Sequence, residues 1–385
     1  MDLSLSPDEV AFRDDARAWL AANVEPTPSF ATLVEEVAWG RRWQARLAEA
    51  RWVGVHWPVA YGGRGASPAE VAIFNMEYAR ARAPQPVNRN GINHVGPTLL
   101  VHGTDEQKRR FLPGILDASE IWCQLFSEPG AGSDLASLST RADPAEDGWV
   151  VSGSKVWTSY AQFASYGIAL VRTDPEAPKH RGLSYLVVDM SSPGIEIRPL
   201  PTITGEAEFN EVFFNEVYVP ADCLVGRLHQ GWAVANTTLA HERGATFPFK
   251  EQVVHEVYLD ELCALAQERG VLADPEVADA LVGAYVKLRV LRLHNWRTLS
   301  RLARGEEPGP ESSVVKLAWA DMTQELAEAA LLVVGDGAPL WAGAAHAAGG
   351  TWQRQWLWSR AATIAGGTSE IQRTIIGERL LGLPR

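Results

Sequence analysis

The 385-residue sequence predicts a mostly helical protein with a central β-domain, chiefly because of the spacing of its apolar residues. Residues 1–118 and 230–385 contain segments whose apolar side chains recur at i, i+3 and i+4, as in amphipathic helices. Residues 119–229 instead carry short β-rich runs separated by Gly, Pro and Asp turns. The chain is longer than one ordinary core accommodates, so these three segments are predicted as three domains.

The N-terminal segment, residues 1–118, has two clear helix starts. Ser67 precedes Pro68 and Glu70, an order that predicts Ser67 as the N-cap of a helix with Pro68 in its first turn. Thr104 is the predicted cap of a later helix that contains Pro113 near its end. This segment is therefore expected to be helical throughout.

The middle segment, residues 119–229, predicts a small antiparallel sandwich or barrel. Its β-rich runs are WVVSGSKV, YGIALVR, LSYLVVD, IEIRPL and EVFFNEVYVP. Since no helical segment lies between them, a βαβ sheet is excluded.

The C-terminal segment, residues 230–385, returns to the helical period. In one long helix the predicted apolar stripe consists of Leu281, Ala284, Tyr285, Leu288 and Leu291. The sequence TSEIQRTIIGERLLG is predicted as the last helix.

Composition narrows the possible functions. A net charge of −12 argues against a nucleic-acid partner, and the sequence contains no apolar run long enough to span a membrane. The first residues lack the basic and apolar blocks of a signal peptide, so a cytoplasmic protein is expected. Three separated cysteines and nine scattered histidines show no disulfide framework or metal-ligand spacing, and no metal is expected.

The segment CQLFSEPGAGSDLASLSTRA is the best candidate for a ligand-binding loop. Ser127, Gly130, Gly132 and Ser133 have little side-chain bulk and offer backbone N–H groups, which can surround a pyrophosphate or the edge of a flavin. An ordinary Gly/Ser turn is the commoner meaning of such a loop taken alone.

A second candidate follows one of the β-rich runs. Trp157 stands beside Thr158 and Ser159, and an indole next to hydroxyls suits a planar heterocycle that is stacked and hydrogen-bonded. Taken alone, a tryptophan there is more often a buried core residue.

A candidate general base lies in NTTLAHERG. Glu242 follows Thr238 by four residues and Leu239 by three, so a helix can place all three on its inward face. Burial would raise the pKa of Glu242 into the range that a general base needs. A surface pair of Glu242 with Arg243 is the alternative.

As an ordered set, these motifs resemble the acyl-CoA dehydrogenase family. The matching segments are PVAYGGRG, GPTLLVHGTDEQKRRFLPGIL, FSEPGAGSDLASLSTRA, SGSKVWTS, GWAVANTTLAHERG and GGTSEIQRTIIGERLLGLP. The resemblance implies an N-terminal helical domain, a β-barrel or sandwich and a C-terminal four-helix bundle. It also implies non-covalently bound FAD, a tetramer, and oxidation of acyl-CoA thioesters to 2,3-enoyl-CoAs.

The resemblance assigns cofactor residues in the middle segment. Phe126 and Ser127 correspond to contacts with the flavin ring, and Gly132 and Ser133 to contacts with the pyrophosphate and the substrate. Trp157 corresponds to the aromatic residue packed on the flavin, with Thr158 beside it, and Ser159 to a hydroxyl near flavin N5.

It also assigns cofactor residues in the C-terminal segment. Arg269 resembles an arginine that binds FAD across a dimer interface, although Leu272 stands where the family often has phenylalanine. Thr368 and Glu370 align with a pair that reaches FAD from a neighbouring subunit.

The catalytic base is the main departure from the medium- and short-chain members. Those carry a glutamate where this chain has Gly366, whereas a second group carries it on the preceding long helix, as Glu242 does here. The resemblance therefore implies Glu242 as the base, Arg243 beside it at the substrate, and the backbone N–H of Gly366 as a donor to the thioester carbonyl. The absence of a side chain at Gly366 suggests a bulky or branched acyl group, such as a steroid fragment.

Several alternatives stay open. The same fold serves acyl-CoA oxidases, and some relatives work as two different chains, one of which is a non-catalytic or half-site partner subunit. The physiological acceptor implied for a dehydrogenase is an electron-transfer flavoprotein, and the assembly is a homotetramer or an α2β2 heterotetramer. A nucleic-acid-binding relative is disfavoured by the acidic charge of the chain.

Overall fold

The structure is a computed structural model that describes residues 5–242, 247–302, 304–306, 309–340 and 350–384, with the side chains of residues 242 and 247–249 outside the description. Short 3-10 or π turns lie at Val59–Tyr61, Gly91–Val95 and Ile376–Leu380, among other places. The helices are α1 Pro7–Asn23, α2 Leu33–Glu49, α3 Pro68–Arg80, α4 Gly96–His102, α5 Asp105–Asp117, α6 Gly231–Glu242, α7 Phe247–Glu268, α8 Pro275–Leu302, α9 Glu311–Val334, α10 Thr351–Ser359 and α11 Ser369–Ile375.

Both predicted helix starts are confirmed. Ser67 caps α3 by accepting from the N–H of Glu70, whose carboxylate accepts in return from the Ser67 N–H. Thr104 forms the same reciprocal pair with Gln107 at the start of α5. These capping boxes satisfy two of the N–H groups that a helix start leaves without partners.

The strands form a single seven-stranded sheet in the described chain, with the order β1-β4-β2-β3-β7-β6 and β5 beside β4. The strands are β1 Trp122–Leu125, β2 Arg141–Ala145, β3 Gly148–Ser159, β4 Tyr166–Arg172, β5 Leu183–Asp189, β6 Ile195–Leu200 and β7 Phe209–Pro220. The predicted antiparallel pairing is confirmed for β2–β3, β3–β7, β4–β5 and β6–β7. It is wrong for β1–β4 and for the single bridge between β2 and β4, both of which are parallel.

Two compact units emerge from the packing of the described residues. One unit comprises residues 26–66 and 84–242. Its core is formed by buried side chains of the sheet strands, among them the fully buried Val151, Val188 and Val217. The other comprises residues 1–25, 67–83 and 243–385. We call them the sheet unit and the bundle unit. Helix α3 packs against α7, and α1 packs against α3 within the same unit, a grouping that the predicted division into 1–118, 119–229 and 230–385 did not anticipate.

The bundle unit is built on α7, α8 and α9, whose buried residues form one core. Of the stripe predicted on α8, Leu281, Ala284, Leu288 and Leu291 are buried as expected. Tyr285 is 52% exposed, so its assignment to the core is wrong. Tyr285 directly follows the buried Ala284, and the rotation of the helix from one residue to the next moves its side chain off the buried face.

Candidate functional site

The loop that follows β1 is anchored at its start by contacts with other strands of the sheet. The Phe126 ring is buried and meets Tyr185 edge to face, with ring centroids 5.9 Å apart. The carbonyl of the next residue, Ser127, accepts from the N–H of Val156 in β3 at 2.9 Å. Glu128 and Ala131 then pair through two backbone hydrogen bonds, closing a tight turn. The start of the loop thus has a fixed backbone path.

The second half of the loop is open to ligands. Gly132 and Ser133 are exposed, and a Cβ added at Gly130 or Gly132 would meet no atom within 4 Å. Within the described chain, the N–H groups of Gly132 and Ser133 donate to no protein acceptor. Free amide donors beside empty space are the chemistry that binds an anion such as a pyrophosphate, so this loop fits the phosphate part of FAD.

A buried ion pair lies under the loop. The Lys155 ammonium group donates to the carboxylate of Glu128 at 2.9 Å, to the carbonyl of Phe126 at 3.0 Å and to that of Leu170 at 2.8 Å. The Lys155 side chain is fully buried and that of Glu128 is 5% exposed. Burial raises the pKa of Glu128, but the charge of Lys155 and hydrogen bonds from Thr140 and Ser139 outweigh it and hold this pKa well below the usual range. Glu128 is therefore an anion.

The end of β3 presents an exposed indole. Trp157 is 61% exposed and has a φ of 60°, a conformation uncommon for residues other than glycine, where the β3–β7 register shifts between Lys155 and Thr158. Its ring stands edge-on to Phe209, with centroids 6.1 Å apart. Exposure removes the alternative of a core tryptophan. Thr158 is fully buried instead, and its hydroxyl has no partner among the described residues.

The C-terminal glycines belong to the bundle unit and precede α11. Both take left-handed backbone angles, with φ of 66° at Gly366 and 95° at Gly367. Their carbonyls accept from the side-chain amide of the buried Gln372, at 3.1 and 3.2 Å. Thr368 is the N-cap of α11. The turn therefore needs both glycines.

The remaining predicted residues lie on helices α6 and α11 or just after α7. Glu242 is the last residue of α6, and its side chain lies outside the described residues, as does all of Arg243. In the bundle unit, Arg269 is exposed after α7 and Leu272 is 42% exposed. Glu370 is exposed in the first turn of α11, where its own N–H and then the Thr368 hydroxyl lower its pKa.

A polar layer surrounds the end of α6 within the sheet unit. The hydroxyl of Thr238, one turn before Glu242, lies 2.9 Å from that of Thr98 and 3.0 Å from that of Tyr185. Burial, and then the nearby His241, lower the pKa of His56 to about 4. Burial also lowers the pKa of His241 itself, so these imidazoles are neutral at neutral pH.

Sequence reasoning missed Lys155 and Glu128. A signal was available, because Lys155 is the one charged residue in the twelve-residue strand GWVVSGSKVWTS. A charge in the middle of a buried strand requires a partner. The sequence did not indicate which carboxylate that partner is.

No helix among the described residues is long and apolar enough to cross a membrane. No group of three or more His, Cys, Asp or Glu side chains there is placed to hold a metal ion.

Comparison with protein families gives three consecutive matches. The model for the acyl-CoA dehydrogenase N-terminal domain matches residues 6–119, that for the middle domain matches 123–217, and that for the C-terminal domain matches 229–381. Acyl-CoA dehydrogenase IpdE1 of Mycobacterium tuberculosis is 44% identical over 388 residues and is covered, like this chain, to 98%.

Solved structures agree with the sequence matches. The ChsE4-ChsE5 complex from Mycobacterium tuberculosis contains a chain with a TM-score of 0.85 and 33% identity, and both chains are covered completely. The Tcur3481-Tcur3483 steroid ACAD contains one with a TM-score of 0.86 and 30% identity, again with complete coverage of both chains.

Proposed function

This chain belongs to the acyl-CoA dehydrogenase family, a family of flavoprotein oxidoreductases, and we propose that it oxidises an acyl-CoA thioester to the 2,3-enoyl-CoA. The observation that carries the proposal is the open Gly132–Ser133 loop, joined through the buried Lys155 to the strand that carries the exposed Trp157 near its end. FAD, when bound, supplies the acceptor for the β-hydride of the substrate.

The residues of the sheet unit suit the holding of FAD. The free N–H groups of Gly132 and Ser133 would bind the pyrophosphate, and the exposed indole of Trp157 would pack on the flavin ring. Ser127 and Ser159 are half-buried, with hydroxyls available for ring atoms. Phe126 contributes its backbone, because its ring is in the core.

The residues of the bundle unit suit a different part of the cofactor. Arg269 and Glu370 are exposed and Thr368 caps α11, so none of the three is committed to the core of its own unit. We assign them to the FAD of a neighbouring subunit. This assignment requires an oligomer.

An apolar stripe on α8 supports assembly. Exposed apolar side chains recur there at helical spacing, at Val282, Tyr285, Val286, Val290 and Leu293, each between 44% and 62% exposed. Such a stripe on one helix face is typical of a protein contact. The related ChsE4-ChsE5 structure is a complex of two named proteins, and we propose that this chain forms a homotetramer or an α2β2 heterotetramer.

Proton removal is assigned to Glu242, at the end of α6. The carboxylate takes the α-proton, and the negative charge that develops on the thioester oxygen needs a nearby donor. The backbone N–H of Gly366 is the proposed donor, and Arg243 is proposed to contact the substrate. Glycine keeps this amide in place while leaving no side chain, and its φ of 66° is one that glycine adopts without strain.

The acyl group is proposed to be bulky, branched or cyclic. Two observations support this: position 366 carries no side chain, and the structural relative Tcur3481-Tcur3483 is a steroid ACAD. A panel of acyl-CoAs compared by kcat/KM tests it. We expect a ring-bearing or branched acyl-CoA to be best, and a straight-chain C4–C8 acyl-CoA ranking first would refute this part.

The reaction itself is tested on the purified, FAD-loaded chain under anaerobic conditions. Adding the substrate panel should bleach the flavin absorbance and form enoyl-CoA in equal amount. Reoxidation by an electron-transfer flavoprotein, with slow reoxidation by dioxygen, is expected of a dehydrogenase. Rapid reoxidation by dioxygen would instead identify an oxidase, and a chain that binds no FAD would identify a partner subunit.

A further inference from the structure

The Lys155–Glu128 pair connects every segment of the sheet unit to which we assign FAD contacts. Lys155 lies in β3 two residues before Trp157, and its ammonium group reaches the carbonyl of Phe126 at the start of the loop. Its neighbour Val156 donates to the Ser127 carbonyl. Two successive residues of the strand thus fix two successive carbonyls of the loop.

Glu128 extends the connection to the far side of the loop. One oxygen accepts from the Ser139 N–H at 2.7 Å and from the Ser139 hydroxyl at 2.8 Å, while the other accepts from the Thr140 N–H at 2.9 Å and from Lys155. Residues 128 and 139 enclose the open Gly132–Ser133 segment. The carboxylate therefore ties both ends of this segment to one buried cation.

The close approach needed for these bonds depends on Gly153. A Cβ at this position would lie 2.7 Å from the Cα of Thr140, a distance that real side chains do not tolerate. The strand and the Thr140 backbone thus come together only because position 153 has no side chain. The same three segments, β3, the loop and residues 139–140, are held by one set of contacts.

We propose that Lys155 and Glu128 are positioning residues for the cofactor, which fix the loop of residues 126–133 relative to Trp157 so that the pyrophosphate and ring contacts are made together. This inference rests on the proposed binding of FAD. Neither side chain is exposed enough to touch the cofactor, so both act through the backbone they hold. A site held this way is preorganised, and loosening it weakens ligand binding.

The test is Lys155→Met, which keeps the length of the side chain and removes its charge. Contacts that hold a binding group in place are worth roughly 10- to 100-fold in affinity in metal sites, and we expect the Kd for FAD to rise by a similar factor. The absorption spectrum and midpoint potential of the remaining bound flavin should also shift. Thermal stability will fall as well, since Glu128 becomes an unpaired buried charge.

A matched control separates positioning from stability. Glu77 in α3 is a second buried carboxylate, paired with Arg17 at 2.9 Å and Arg80 at 2.8 Å, and α3 carries none of the assigned FAD residues. Glu77→Gln should lower stability and leave the Kd for FAD unchanged. The double variant Lys155→Met/Glu128→Leu, which buries no charge, should regain part of the stability and keep the weakened FAD binding.

The outcomes are distinguishable. Wild-type affinity for FAD in Lys155→Met or in the double variant would overturn the inference, and so would an equal loss of affinity in Glu77→Gln. A wild-type chain that binds no FAD would overturn the proposed function and the inference with it. Weakened binding in both Lys155 variants, with normal binding in Glu77→Gln, is the result the contacts predict.

Discussion

Replacing Gly367 with alanine should lower the free energy of unfolding of the bundle unit by roughly 2–5 kcal/mol. Two effects in the turn before α11 contribute, namely a strained backbone conformation and the loss of two hydrogen bonds. The φ of 95° at Gly367 is left-handed, and an L-residue there costs about 1–2 kcal/mol. The added Cβ would also lie 2.7 Å from the side-chain nitrogen of the fully buried Gln372. Moving that amide breaks its hydrogen bonds to the carbonyls of Gly366 and Gly367, at about 0.5–1.5 kcal/mol each.

Urea unfolding followed by tryptophan fluorescence measures the effect, and a second glycine provides the control. Gly283 lies in α8, and a Cβ added there meets no atom within 4 Å. Gly283→Ala should therefore stabilise the protein by about 0.5–1 kcal/mol, the ordinary helix preference for alanine. If Gly367→Ala unfolds at the same urea concentration as wild type, the turn does not require its observed backbone angles and the reasoning is wrong.

The two contributions can be separated with Gln372→Ala. If the clash is part of the cost, the double variant Gly367→Ala/Gln372→Ala should lose less than the sum of the two single variants. Strict additivity would show that Gln372 does not respond to the new methyl group.

Two further predictions concern pH and assembly. Since the pKa of His56 is about 4 in the folded chain and 6.5 as its ordinary value, the unfolded chain binds the proton more tightly, and stability present above pH 6.5 is lost as the pH falls toward 4. The resulting loss in the free energy of unfolding is about 2 kcal/mol between pH 7 and pH 5, and it should be absent in His56→Gln. An equal pH dependence of urea unfolding in the wild type and in His56→Gln would contradict this prediction. Leu293→Asp on the α8 stripe should reduce the mass measured by light scattering, whereas Val34→Asp, equally exposed on α2, should not. An unchanged mass in Leu293→Asp would remove the stripe from the subunit contact.

The helical parts of the fold could be predicted because caps and periodicity are local signals. Ser67 and Thr104 begin helices where their neighbours predict it. β1 and β2 were missed, since four and five residues are too short to show alternation, and β2 even contains a proline. Their place in the sheet is decided by their partners β4 and β3, which periodicity does not identify.

The residue types of the candidate site could be predicted from the sequence, but the contacts that hold these residues in place could not. The family motifs identify Gly132, Ser133 and Trp157, and the structure shows them exposed. The exposure of Trp157 follows from a register shift in β3, and the link from Lys155 to Glu128 joins residues 27 positions apart. Both are tertiary features, and neither has a local sequence pattern.

The role of Glu242 as the base is the central claim, and single-turnover flavin reduction in Glu242→Gln tests it most directly. The FAD-loaded variant is mixed anaerobically with the best acyl-CoA and followed by flavin absorbance. Glu378→Gln is the matched control, since Glu378 is a second glutamate of the C-terminal segment, in the turn Ile376–Leu380 after α11. We expect Glu242→Gln to bind FAD and the acyl-CoA normally and to reduce its flavin slower by about 10²–10⁴-fold, the usual contribution of a general base. Reduction at the wild-type rate in Glu242→Gln, or an equal loss in Glu378→Gln, would contradict the assignment.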